Sequence, residues 1–143
     1  MNPAAALVLL LGAGARPCSA LESYSPSVFA SWAEKDRVIV LQFRSPSCSV
    51  CPRQELSLER LAQEEPKPVP VFLQAHYDRE EDLRRKYKVE GASALLVFRG
   101  QRYLGSSIRL YTEEDIRSFL HQILLQDRGK PKQRPKRRPG PRR

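Results

Sequence analysis

The chain is poor in the residues that anchor a protein in a membrane or hold a metal. No run reaches the roughly eighteen apolar residues needed to cross a bilayer, which excludes a conventional membrane-spanning helix. Histidine occurs only twice, at His76 and His121. A zinc site built on Cys48 and Cys51 would need two more ligands, and a second C-x-x-C is absent, so no metal is expected. Of the seven glycines only Gly12 and Gly14 lie close together, inside the apolar run near the N-terminus. Gly91, Gly100 and Gly105 stand singly, as turn and bulge glycines do, and no phosphate-cradling loop results. Acid is missing from the last sixteen residues, Arg128–Arg143, which hold nine of the 25 Lys and Arg residues. The remaining 16 bases balance 16 acids, so the net charge of +9 belongs to a tail and the body is neutral.

A length of 143 residues suits one ordinary domain, and 41% hydrophobic residues suffice to bury a core. The two ends fall outside that domain. Ala4–Ala15 is a short apolar run followed by Arg16, Pro17, Cys18, Ser19 and Ala20. Small residues at the −3 and −1 positions of a cleavage after Ala20 mark residues 1–20 as a secretory signal peptide, although no base precedes Ala4. The chain is then expected to be exported, to a periplasmic or extracellular space. Cys18 leaves with the leader, and Cys48 and Cys51 remain where disulfides persist. Residues 127–143 carry four prolines and two glycines among like charges and are expected to be a disordered basic tail. Arg128–Arg143 suits an anionic envelope component or lipid, or serves only as a solubilising extension. Without interleaved aromatics it offers no sequence-specific nucleic-acid recognition.

Residues 21–126 alternate between helical and strand patterns. Val28, Phe29, Trp32 and Ala33 recur at helical spacing behind Ser25-Pro26, and Val38–Phe43 is a nearly continuous apolar run typical of a buried strand. Ser45–Pro52 is a loop entering a helix whose apolar residues are Leu56, Leu58, Leu61 and Ala62. Val69–Ala75 reads as a strand and Arg79–Tyr87 as a short charged helix. Ala94–Phe98 and Arg102–Ser107 form a hairpin around Gly100. Thr112 caps a last helix with Ile116, Phe119, Leu120, Ile123 and Leu124 on its apolar stripe. The order αβαβαββα, without internal repeat, implies a sheet of about four strands covered on both faces.

Cys48-Ser49-Val50-Cys51 is the strongest reactive constellation. Two thiols separated by two residues can close a small disulfide ring across a helix start. Cys48 is expected near the N-cap, where free N–H groups and the helix dipole favour a thiolate, with Cys51 about one turn in and buried. Pro52 fits the first helical turn.

From about Ser25 to Leu125 the chain resembles the thioredoxin-like family. The resemblance rests on Val38–Phe43 leading into Cys48–Cys51, on Tyr77-Asp78 after the second strand, and on the stretch Tyr87–Phe98. It implies an α/β three-layer sandwich with a mixed central sheet. It also implies electron transfer between dithiol and disulfide on protein thiols and disulfides, without a cofactor. By resemblance Cys48 is the attacking thiol and Cys51 the resolving one, in a chain expected to act as a monomer.

Three positions depart from the family. The cis-proline of the substrate loop falls on Ser93, followed by Ala94, so a trans form is expected there. The buried acid of the first strand falls on Gln42, which cannot titrate, and the aromatic residue before the first cysteine is Ser47. Two function classes therefore stand: an exported thiol–disulfide oxidoreductase, and a non-catalytic binding module with a structural disulfide and a basic tail.

Overall fold

The computed structural model describes residues 20–64 and 68–129. The expected leader, apart from Ala20, and tail residues 130–143 lie outside the described residues. The element order is β1 (Leu21–Ser23), α1 (Pro26–Glu34), β2 (Val38–Arg44), α2 (Cys51–Ala62), β3 (Val71–His76), α3 (Glu81–Tyr87), β4 (Leu95–Arg99), β5 (Arg102–Ser107) and α4 (Glu113–Arg128). These form one sheet in the order β1-β3-β2-β4-β5. β1, β3 and β2 run parallel, while β4 is antiparallel to β2 and β5 to β4. The mixed α/β sandwich is thus as expected, with one strand more than the sequence suggests. β1 is three residues long, with one buried apolar residue, Leu21, paired with Phe72. A segment that short carries no alternation to read.

The period of two along the strands sorts the core into two layers. Val40, Leu95 and Val97 meet Leu58 and Leu61 of α2 and Ile116, Leu120 and Ile123 of α4. Ile39, Leu41, Phe43, Leu96 and Phe98 face the other way, onto Ala33 with Val28, Phe29 and Trp32 of α1 and Leu83 and Tyr87 of α3.

Local chemistry fixes the helix starts. Ser25 Oγ accepts the Val28 N–H at 3.1 Å ahead of Pro26, and Thr112 Oγ1 accepts the Asp115 N–H at 3.1 Å. Both side chains satisfy N–H groups that the first turn leaves free. Gly100 turns the β4–β5 hairpin at φ 57°, where a Cβ would stand 3.1 Å from the Ala33 carbonyl oxygen. α4 runs through Arg128, two residues past the boundary expected at 126/127. Asp127 explains the extension: its side chain is buried and pairs with Arg99 of β4, at 2.5 Å, and with Arg102 of β5.

Candidate functional site

β2 ends at Arg44, and the loop after it delivers the two cysteines. The Cys48 N–H donates to the Ser45 carbonyl at 3.0 Å, folding residues 45–48 into a turn. Ser45 Oγ lies 3.1 Å from Ser47 Oγ and donates to Asp78 at 3.2 Å, so the chain beyond β3 braces this turn. Cys48 and Cys51 are joined in a disulfide with Cα atoms 5.5 Å apart. Cys48 is partly exposed, whereas Cys51 is 2% exposed.

The helix begins later than expected. Val50 is the N-cap, without a side-chain cap bond, and Cys51 is the first helical residue. Cys48 therefore precedes the cap by two residues, and Cys51 sits at the very start of the helix instead of a turn in. The Ser45–Cys48 turn uses the residues that an earlier start would need. The Gln54 N–H donates to the Val50 carbonyl at 3.0 Å and closes the first turn.

Ser93 and Ala94 come beside this pair through Phe43. The Phe43 carbonyl accepts the Ser93 N–H at 2.9 Å and lies 3.9 Å from Cys51 Sγ, while the Phe43 N–H donates to the Ala94 carbonyl at 2.9 Å. Ser93 is buried at φ 68°, a left-handed conformation that side chains other than glycine's adopt at a cost. The cost is matched by fixed partners, since its N–H and carbonyl both have inward hydrogen bonds.

Gln42 lies on the α2-facing side of β2 and is fully buried, as is Gln54 of α2. Gln42 Nε2 donates to Gln54 Oε1 at 2.8 Å, and Gln74 Nε2 of β3 donates to Gln42 Oε1 at 3.0 Å. Gln54 Nε2 donates to the carbonyls of Ser93 at 2.9 Å and Leu110 at 2.6 Å. One turn along α2, Ser57 Oγ donates to the Tyr111 carbonyl at 2.8 Å. No titratable side chain takes part in these bonds.

Sequence reasoning missed Gln54 and Gln74. The signal for Gln54 is its phase: with Cys51, Leu58 and Leu61 it occupies the buried stripe of α2. Leu56, expected on that stripe, is 50% exposed. His76 ends β3 exposed, with His121 exposed on α4, and the described residues contain no group of three or more His, Cys, Asp or Glu able to hold a metal. No helix among the described residues is long and apolar enough to cross a membrane.

The fold and the disulfide opening α2 together define a thioredoxin-like protein with a C-x-x-C redox pair. The family model for Thioredoxin matches residues 20–122, and the chain belongs to that family. Solved structures agree on the fold. Trxlp from Edwardsiella tarda superposes with a TM-score of 0.64 at 21% identity, over 70% of this chain and 97% of that one. A point-mutant thioredoxin from Halobacterium salinarum gives 0.62 at 17% identity, over 72% and 88%. The germline thioredoxin Deadhead from Drosophila melanogaster gives 0.60 at 23% identity, over 71% and 96%. No curated protein sequence matches at a significant level.

Proposed function

We propose that the protein is an exported thiol–disulfide oxidoreductase acting on protein thiols and disulfides through Cys48 and Cys51. The observation that carries this is the asymmetry of the pair: Cys48 is partly exposed, and Cys51 is buried at the start of a helix. Exchange needs an accessible sulfur to be attacked and a sheltered one to leave and return. From the disulfide form, a substrate thiolate attacks Cys48 Sγ. The Cys48–Cys51 bond breaks, and the Cys51 sulfur leaves as a thiolate that takes a proton from water. A second substrate thiolate then attacks the substrate sulfur of the mixed disulfide and releases Cys48. Two electrons have passed from a substrate dithiol to the protein; the reverse sequence reduces a substrate disulfide. Export is supported by the leader-like composition of residues 1–20, and a charge-based role of Arg128–Arg143 by its nine bases.

Two observations favour the binding module instead: Ser93 has both backbone groups engaged inward, and Gln42 carries no titratable group to take a proton from Cys51. A redox titration of residues 21–143 against thiol–disulfide buffers separates the two readings. A reversible midpoint between about −120 and −270 mV supports exchange, and one below about −300 mV overturns it in favour of a structural disulfide. Under exchange, Cys51→Ser traps mixed disulfides through Cys48, seen as reductant-sensitive adducts on gels.

A further inference from the structure

The buried amides have only one consistent polarity. The carbonyls of Ser93 and Leu110 can only accept, so Gln54 must turn its NH2 toward both, at 2.9 and 2.6 Å. Its Oε1 is then left to accept from Gln42, whose own Oε1 is left to accept from Gln74. Donors thus point in a single sense, from Gln74 at the partly buried end to the backbone carbonyls of Ser93 and Leu110. Gln54 is where this chain touches the redox pair. Its backbone N–H closes the helical turn that begins at Cys51, and its side chain holds the loops before β4 and before α4. The first of those loops shares the Phe43 carbonyl with Cys51.

We infer that Gln54 is a positioning residue for protein-disulfide exchange, fixing the Ser93–Ala94 loop beside Cys51 and tying it to the Leu110–Tyr111 loop before a protein partner arrives. Two loops tied to one helical turn are ordered in advance, which spares a protein partner that packs beside them the cost of ordering them. A small disulfide needs only access to the partly exposed Cys48 and makes little use of those loops. The inference rests on the exchange reading above.

The test compares insulin and oxidised glutathione as substrates of the 21–143 protein and its Gln54→Met variant. Loss of at least about tenfold in kcat/KM toward insulin, carried by KM, with at most about threefold loss toward glutathione, is the expected result. An active parent whose variant loses equally on both substrates, or on neither, overturns the positioning role alone. A parent inactive on both overturns the exchange reading and this inference with it. Should Gln54→Met fail to fold, Gln54→Asn keeps the amide one methylene short. It is expected to show the same KM-borne selectivity at roughly threefold, and an equal loss on both substrates overturns the inference.

Discussion

Two buried polar clusters stand at opposite ends of the β2–β4 pair and are built from different materials. At one end, where Gln42 pairs with Leu95, three amides connect β3, β2 and α2 without a formal charge. At the other, where Val38 pairs with Arg99, the Asp127 carboxylate is held by Arg99 and Arg102. Burial pushes the Asp127 carboxyl up, but the hydrogen bonds from Arg102 and Arg99 outweigh it and leave the group below its ordinary value of 3.8. The redox end therefore keeps its hydrogen bonds at any moderate pH, while the far end gives up its ion pairs in acid. Each cluster ties a helix to the sheet, but only the neutral one does so next to a group whose own ionisation is part of the proposed chemistry.

Putting charge into the neutral cluster is expected to have the largest effect. Gln42 must donate to Gln54, and a carboxylate cannot, so Gln42→Glu has to hold a proton or break the chain. The expected cost is about 3 kcal/mol at pH 7, shrinking as pH falls, because burial raises the introduced carboxyl. Urea unfolding at pH 7 and pH 5 measures both the cost and its slope. Equal losses at the two pH values would mean that site 42 tolerates charge.

Removing charge from the other cluster comes next. Asp127→Ala leaves two partly buried guanidiniums without their anion and is expected to cost about 2 kcal/mol at pH 7, read from the same unfolding curves. The smallest effect is the native pH dependence. Asp127 has its carboxyl lowered on folding, so its contribution is complete above about pH 4, the ordinary range of an aspartate, and is lost as pH falls through the folded value. Asp127→Asn should therefore flatten part of the decline in stability below pH 4. A decline as steep as the parent's would assign the acid sensitivity elsewhere.

What the sequence makes legible follows the same division between local and distant causes. Val38–Phe43 and Leu95–Phe98 announce buried strands because burial on both faces leaves an apolar run that needs no partner to be recognised. The cysteine pair is legible because its spacing and its place after a strand are local. Gln54 is not, since its partners Ser93 and Leu110 lie 39 and 56 residues away. A glutamine on a helix looks like surface until such carbonyls arrive, and Leu56 looks like core for the same reason. Asp127 looks like the first residue of the tail because its partner Arg99 lies 28 residues upstream. The late start of α2 depends on the Ser45–Cys48 turn and its brace to Asp78, 33 residues from Ser45, which no pattern within the loop reveals.

The margins of the sheet bear on how the molecule meets copies of itself. One margin is β1, only three residues long. The other is β5, where Val97 pairs with Gly105 and Phe98 with Tyr103, so that Leu104 is an extra residue and the strand bulges. α4 lies close over that bulge: a Cβ on Gly105 would come within 2.7 Å of Ile123 Cδ1. A short strand and a bulged one make poor templates for another chain's backbone, so neither margin favours addition of a sixth strand and the aggregation that open sheet edges invite.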